Sequence, residues 1–471
     1  MSGDGERRER RERRERVFAS GPGWVRHVVW WHVYPLGFTG AEPRLTADTP
    51  VTHRLDHLVG WLDHLVELGA SGLALGPVFA SETHGYDTTD HYRVDPRLGD
   101  DGDFDALVAA ASARGVRVLL DGVFNHVGRG HPAFRAVLER GPSAATAPWF
   151  RLRWPDAPWE PGVEPDHDDF EGHRHLVALD HSCPAVVDHV VDVMNHWLDR
   201  GAAGWRLDAA YAVPVEFWAQ VAERVRARHP DAYLMGEVIH GDYTAFVDGG
   251  RLDSVTQYEL WKAVWSSLND RNFHELAHAL RRHDGFLEHF VPYTFLGNHD
   301  VTRIASRLTD PAHLAHALVV LATTGGTPAV YAGDEHGFRG VKEDRAGGDD
   351  EVRPPFPASP ADLSPLGLPV FHLHQELLGL RRRHPWLHRA RTEVLDVSNE
   401  FLSYASAEEG ERVVVALSTA GGPVEVRVPG AGTGAGAGAG GVLAGRARLD
   451  APGTPAARAR LEPGGWVVLA G

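Results

Sequence analysis

The chain has 471 residues, of which 43% are hydrophobic and 24% charged, so it can hold two or three domains with at least one large core. Its formal net charge of −17 argues against a nucleic-acid backbone as the main partner, and no apolar stretch is long enough to span a membrane. The single cysteine, Cys183, excludes an internal disulfide and fits a reducing compartment.

The amino-terminal segment is strongly charged. Residues 6–16 read ERRERRERRER, and no apolar residue follows until Val17. Because such a block cannot bury apolar area, we predict a solvated, disordered tail over residues 1–24. The segment lacks the apolar centre of a secretory signal, which favours a cytoplasmic location.

Eight short apolar segments recur along the next part of the chain, and helical patterns such as 55–68, 104–114 and 185–200 lie between them. Near-continuous apolar strands are typical of a parallel sheet that helices cover on its outer face. Eight such units predict an α/β fold, the (β/α)₈ TIM barrel. The predicted strands are 28–34, 72–76, 116–124, 204–208, 232–238, 252–258, 293–297 and 328–332.

The interval between the third and fourth predicted strands is too long for one unit. Asp208 follows Asp121 by 87 residues, where one strand–helix unit takes roughly 30. We therefore predict a small inserted subdomain at 127–182, which divides the barrel into 25–126 and 183–390. Four aromatic residues of the insert either fill its own core or stack on a ligand. They are Trp149, Phe150, Trp154 and Trp159.

The pattern changes after residue 390, where short alternating segments are separated by turns and by a glycine-rich run at 430–441. Residues 391–471 therefore predict an antiparallel β-sandwich. Because no exposed aromatic pair stands out, a structural role is favoured over a ligand-binding module. The predicted strands are 392–397, 401–405, 412–418, 424–428 and 465–469.

Three predicted barrel strands lead into a carboxylate. Asp208 follows GWRL, Glu237 follows LMG and Asp300 follows FLGNH. Barrel enzymes carry their catalytic groups at these carboxyl ends, and two facing carboxylates suit glycoside hydrolysis. Arg206 shares a strand face with Asp208, so it would keep Asp208 ionised as a nucleophile. An apolar setting and a neighbouring carboxylate would raise the pKa of Glu237, as a general acid requires.

Further polar residues lie at the ends of the third and seventh strands, in LDGVFNH with Asp121 and His126, and in NHD with His299 and Asp300. A metal site is the alternative interpretation of three acids and two histidines. The acids lie on separate strands without a repeated ligand spacing, which favours the hydrolytic interpretation.

These segments resemble the conserved regions of glycoside hydrolase family 13, the α-amylase family. LDGVFNH resembles the first region, GWRLDAA the second, GEV the third and FLGNHD the fourth, in the family's order. HGYDTTDHY at 84–92 and YAGDEHG at 331–337 also resemble family segments. The resemblance is nearest to members that act on short oligosaccharides, such as cyclomaltodextrinase, neopullulanase or α-glucosidase.

The resemblance implies a role for each site residue. Asp208 would be the nucleophile that forms a covalent glucosyl intermediate, Glu237 the acid/base and Asp300 the residue that binds the distorted sugar ring. Two inversions would retain the α configuration. The remaining residues would bind or support the sugar or orient Asp208, and they are Tyr86, Asp121, His126, Arg206 and His299.

The sequence also departs from the family pattern. Tyr211 and Ala212 stand where many starch-cleaving amylases have Lys-His, and the loop after the first strand has one acid. We therefore predict no essential metal, with calcium at Asn125 as the alternative.

The function expected from these residues is hydrolysis of short α-glucans or malto-oligosaccharides, with an oligosaccharide as the only class of partner. A transglycosylase or isomerase that uses the same site is the alternative. A non-catalytic sugar-binding barrel is disfavoured, because all three carboxylates are present.

Overall fold

The computed structural model describes residues 21–46, 48–345, 347–427, 441–450 and 458–471. The predicted tail up to residue 20 lies outside the described residues, as does the glycine-rich run up to residue 440. The described chain opens with the short helix Gly23–His27.

Eight parallel strands form the centre of the molecule. Each strand pairs with the strands before and after it in the chain, except that the sixth and seventh strands do not form a ladder with each other. The first strand also pairs with the eighth, and a bridge between Thr256 and Tyr293 joins the ends of the sixth and seventh, so the sheet closes into a barrel. The predicted (β/α)₈ barrel is confirmed. The strands are β1 Trp30–Val33, β2 Gly72–Leu75, β3 Arg117–Gly122, β4 Gly204–Leu207, β5 Tyr233–Gly236, β6 Ser254–Val255, β7 Tyr293–Phe295 and β8 Thr327–Tyr331.

Helices cover the outside of the barrel. Asp100 caps Asp101–Ala113 through a reciprocal capping box with Asp103, and Pro184 opens the helix Pro184–Asp199 at a position that needs no N–H donor. The predicted helix 55–68 is divided into two. The main helices are Leu55–Val59, Leu62–Leu68, Asp101–Ala113, Pro184–Asp199, Val215–Arg228, Tyr243–Gly250, Tyr258–Asp270, Phe273–Phe286, Ile304–Arg307, Leu314–Thr323 and Leu368–Arg383. No helix of the described ranges is long and apolar enough to cross a lipid bilayer.

The segment between β3 and the helix Pro184–Asp199 forms a compact unit on the carboxyl side of the barrel. Its largest helix is Pro132–Arg140, and its strands are His126–Gly128, Leu152–Arg153, Asp166–His167, Asp169–Phe170 and His173–Ala178. Phe150 is buried against Phe134 at 5.2 Å between ring centroids, and the indole of Trp159 lies against Gly141. These two aromatic residues therefore serve the core of this unit.

The carboxyl-terminal part folds into two antiparallel sheets with an apolar core between them. The five-stranded sheet contains, in spatial order, Arg391–Val397, Phe401–Glu408, Glu411–Ser418, Trp466–Ala470 and Val442–Gly445. The three-stranded sheet contains Val424–Arg427, Arg458–Leu461 and Arg448–Asp450. Three of these strands were not predicted, because they are short and lie beside glycine-, alanine- and arginine-rich sequence.

The helices around the barrel and the five-stranded sheet share one apolar core. Polar contacts fix their relative position, since Tyr404 and Thr323 share a buried hydrogen bond of 2.6 Å between their hydroxyl groups. A ring nitrogen of His316 also lies 2.9 Å from the carbonyl oxygen of Ser418.

Tyr404→Phe should lower the free energy of unfolding by about 1 kcal/mol, because it removes one buried hydrogen bond and leaves the ring in place. Guanidinium chloride denaturation would measure it, with Tyr92→Phe as the control, since Tyr92 is exposed. Equal stability of Tyr404→Phe and the parent would contradict this role.

Candidate active site

The carboxyl ends of β3, β4 and β5 bring the first group of predicted residues together. Asp121 lies in register with Arg206, and Arg206 lies in register with Met235. The sheet hydrogen bonds continue past the strands, because the amide of Asp208 donates to Gly122 at 3.0 Å and the amide of Glu237 donates to Leu207 at 2.9 Å. The backbone therefore fixes both carboxylates at the mouth of the barrel.

One guanidinium connects these carboxylates. Arg206 Nη1 lies 2.6 Å from Asp121 Oδ2 and 3.4 Å from Asp208 Oδ1, and Nη2 lies 2.7 Å from Glu237 Oε1. All four side chains are buried. Three acids around a single cation leave the group with an excess of negative charge, which favours uptake of a proton.

Burial raises the pKa of Asp208 well above its usual range, and the neighbouring Glu237 adds to the rise. This differs from the expectation that Arg206 keeps Asp208 ionised. The physical reason is that Asp121 holds Nη1, which turns Nη2 toward Glu237 rather than Asp208. Asp208 and Glu237 therefore lie on one guanidinium, and the charge of Glu237 opposes ionisation of Asp208.

Two further contacts hold Glu237. The amide of Ala209 donates to Oε2 at 3.1 Å, and the hydroxyl of Tyr258 donates to Oε1 at 3.2 Å. Ala209 adopts a left-handed conformation with φ of 44°, which costs about 1 kcal/mol or more for a residue with a side chain. That conformation aims the amide of Ala209 at Glu237.

Asp300 lies opposite this group, after β7. His299 Nε2 lies 3.0 Å from its Oδ2, and Arg353 Nη2 lies 2.8 Å from its Oδ1. Although burial opposes ionisation, His299 and Arg353 hold the pKa of Asp300 well below its usual range. Asp300 is thus ionised, and its side chain, 31% exposed, is the most open of the three carboxylates.

Aromatic rings hold His299. Its imidazole stacks between Tyr86 and Tyr34, at centroid distances of 5.5 and 5.6 Å. The hydroxyl of Tyr86 donates to Asp121 Oδ2 at 3.0 Å and contacts His299 Nε2. His126 lies 3.0 Å from the carbonyl oxygen of Tyr86. The structure therefore brings all eight predicted site residues into one connected network.

Four residues of this network were not predicted from the sequence. His32 Nε2 lies 3.2 Å from His299 Nδ1, and Arg353 Nε donates to the carbonyl oxygen of His299 at 2.9 Å. Tyr34 and Tyr258 complete the set. A polar His32 inside the apolar β1 was the one available signal, whereas Arg353 comes from a loop without a motif.

The residues around Asn125 do not fit a calcium ion. The nearby carboxylates, Asp168 and Asp180, are already bridged by Arg151, which lies 3.9 Å from the first and 3.4 Å from the second. The side-chain amide of Asn125 is 3.1 Å from His126 Nδ1. Calcium requires six to eight oxygen ligands without a competing cation, and a guanidinium already supplies the positive charge here.

A closed barrel with buried carboxylates at the ends of β4 and β5 and after β7 is the arrangement by which glycoside hydrolases hold their sugars. A family model described as the alpha amylase catalytic domain matches residues 33–362. The chain therefore belongs to the α-amylase family of glycoside hydrolases.

Individual proteins agree with this membership. The chain is 28% identical over 432 residues to a cyclomaltodextrinase of Geobacillus thermopakistaniensis, covering 87% of this chain and 71% of that protein. It is 28% identical over 343 residues to an intracellular maltogenic amylase of Bacillus subtilis, covering 68% and 57%. The chain thus spans little more than half the length of the second relative.

Among solved structures, the chain is similar to the cyclic alpha-maltosyl-(1→6)-maltose hydrolase of Arthrobacter globiformis in complex with cyclic alpha-maltosyl-(1→6)-maltose. The TM-score is 0.79 at 25% identity, with 96% of this chain and 100% of that chain covered.

Calcium added to the chelator-treated protein should change neither the melting temperature nor the activity, because Arg151 already neutralises Asp168 and Asp180. Differential scanning calorimetry would measure it, with magnesium as the control ion. A saturable rise of the melting temperature with calcium alone would contradict this interpretation of the site.

Proposed function

We propose that the chain is a retaining α-glucoside hydrolase that acts on short α-glucans and malto-oligosaccharides through a covalent glucosyl–enzyme intermediate. The observation that carries this proposal is the pairing of Asp208 and Glu237 on adjacent strands, around one buried guanidinium of Arg206. Double displacement needs one carboxylate that attacks and one carboxyl that donates a proton, and two carboxyls beside one cation can take these roles.

In the first half of the reaction, a carboxylate oxygen of Asp208 attacks the anomeric carbon while the bond to the leaving oxygen breaks. The proton of the pair passes from Glu237 to that oxygen, which departs as an alcohol. In the second half, Glu237 takes a proton from water as the water oxygen displaces Asp208. The amide of Ala209 and the hydroxyl of Tyr258 keep Glu237 in place through both steps.

Asp300 would stabilise the positive charge that develops on the sugar ring, since His299 and Arg353 keep it ionised. Tyr86 and His126 would line the same sugar site. His32 would position His299, because its ring nitrogen lies 3.2 Å from Nδ1 of that residue.

The inserted unit contacts the loop after β4. The hydroxyl of Tyr211, in that loop, donates to Glu171 Oε1 of the inserted unit at 2.7 Å. The named activities of the relatives, cyclomaltodextrinase and intracellular maltogenic amylase, agree with small α-glucan substrates and with a location in the cytoplasm.

Asp208→Asn and Glu237→Gln should each lower kcat by roughly 10⁴-fold or more on a natural glucoside, because each removes a reacting group rather than packing. Initial rates on maltotriose would measure the loss. Asp253→Asn is the matched control, since Asp253 is a buried acid at the opposite end of the barrel, beside Arg226. Near-parental activity of either site variant would contradict the assignment.

The pH profile of kcat/KM should be bell-shaped. Below the acid limb both carboxyls of the pair are protonated and no nucleophile remains, and above the alkaline limb no proton remains for the leaving group. Because burial raises the pKa of Asp208, which must be ionised to attack, the acid limb should lie above the usual carboxyl range.

Glu237→Gln isolates the alkaline limb. With α-maltosyl fluoride, whose fluoride leaves without a proton, this variant should retain kcat/KM, which reports the first half of the reaction, and lose that limb, while the second half becomes slow. An unchanged alkaline limb would show that another group donates the proton.

Proton NMR of the products would identify the substrate class. We expect the α-anomer to form first from maltotriose or cyclodextrin, with Asp208→Asn as the blank. First formation of the β-anomer would contradict retention, and new oligosaccharides in place of free sugar would favour the transglycosylase.

A further inference from the structure

Three histidines from three separate elements meet between the inserted unit and the barrel. His91 lies on the strand Thr88–Val94, His131 precedes the helix Pro132–Arg140, and His189 lies on the helix Pro184–Asp199. Each offers one ring nitrogen, and these three atoms lie within 4.8 Å of one another. The ring planes are steeply inclined at 62° to 81°, with centroids 5.3 to 5.9 Å apart, so the rings surround a common point.

We propose that His91, His131 and His189 form a zinc-binding site that ties the inserted unit to the barrel. Zinc binds imidazole nitrogens at about 2.0–2.1 Å in tetrahedral geometry, which places two ligating nitrogens roughly 3.4 Å apart. His189 Nε2 lies 3.4 Å from His91 Nδ1, in a long hydrogen bond that zinc would replace at the same spacing. Three imidazoles with a fourth position open to water form a known class of zinc site.

The surroundings of His91 orient it as a ligand. Its Nε2 lies 3.0 Å from the carbonyl oxygen of Val123, so that nitrogen donates and the lone pair of Nδ1 points toward the other two rings. A backbone carbonyl on the second nitrogen is the usual support of a zinc-bound histidine. Trp149 packs on His189 at 5.0 Å and covers the cluster from the inserted unit.

His131 requires one exchange of partner. Its Nδ1 accepts the amide of Ala133 at 3.3 Å. This hydrogen bond is lost whichever ring nitrogen binds the metal. If Nδ1 binds zinc, its lone pair is used. If Nε2 binds zinc, Nδ1 carries the ring proton and cannot accept a hydrogen bond. The lost bond is long, and a metal–nitrogen bond replaces it.

One side of the cluster is open to solvent. His189 is only half-buried, which leaves a path for the ion and for a water ligand.

The second histidine-containing group in the described part of the chain is a poorer candidate. His64, Glu335 and His336 also lie together. The carboxylate of Glu335 is already occupied, since Oε1 lies 3.2 Å from His64 Nε2 and Oε2 accepts the amide of Gly333 at 2.8 Å. This group therefore serves as an internal control.

Zinc titration of the untagged, chelator-treated protein tests the proposal. We expect one equivalent to bind in competition with a chromophoric chelator, and the melting temperature to rise with zinc. Cobalt(II) in place of zinc should give the intense visible absorption of a four-coordinate ion.

His189→Phe should weaken zinc binding by about 100-fold or more, because one ligand of three is lost, while the ring contact with Trp149 can remain. His196→Phe is the matched control, since His196 lies on the same helix, is half-buried and also contacts Tyr92. Circular dichroism and glucosidase activity would confirm that both variants fold.

No stoichiometric binding at micromolar zinc would overturn the proposal. So would equal binding by His189→Phe and the parent, or loss of binding in His64→Phe. Because the readouts are metal binding and thermal stability, their outcome is independent of the proposed glucosidase activity.

Discussion

The active site depends on one buried guanidinium. Arg206 contacts Asp121, Asp208 and Glu237 within the barrel mouth. Buried carboxylates that lack a cation are strongly destabilising, and three together would repel one another. Arg206 allows them to be close, yet a single positive charge cannot neutralise all three. Burial and the excess negative charge raise the pKa of Asp208.

A second cation, Arg353, helps to lower the pKa of another carboxyl group, that of Asp300. Arg353 pairs with Asp300 on one side, and His299 contacts the same carboxylate on the other. Asp300 therefore stays ionised, whereas burial and Glu237 raise the pKa of Asp208. The two aspartates differ because Arg353 and His299 both face Asp300, whereas three acids share Arg206. An ionised carboxylate beside the sugar would stabilise the positive charge of the proposed transition state.

Much of the fold could be predicted from the sequence because the barrel strands are continuous apolar runs that end at polar residues. The boundaries were less certain where tertiary contacts decide them. Strand β6 contains only Ser254–Val255, because the helix Tyr258–Asp270 begins soon afterwards and brings the hydroxyl of Tyr258 to Glu237. The sequence pattern of 252–258 does not indicate that the strand ends early and a helix begins.

The same distinction holds for the site. The carboxylates could be predicted because each follows its own strand, so local sequence places it. His32, Arg353 and the cluster of His91, His131 and His189 could not, since each acts with residues far away in the chain. These side chains come together only when the barrel closes and the insert packs on it. The spacing of the residues in the sequence does not indicate these contacts.

Mass spectrometry of a trapped intermediate tests the central claim most directly. A fluorinated maltosyl fluoride that glycosylates quickly and hydrolyses slowly should add one sugar to the protein. The account predicts that peptide mapping will place the sugar on Asp208, and that Asp208→Asn will take up none. A sugar on Glu237 or Asp300, or turnover without any adduct and with inversion of the anomeric centre, would contradict it.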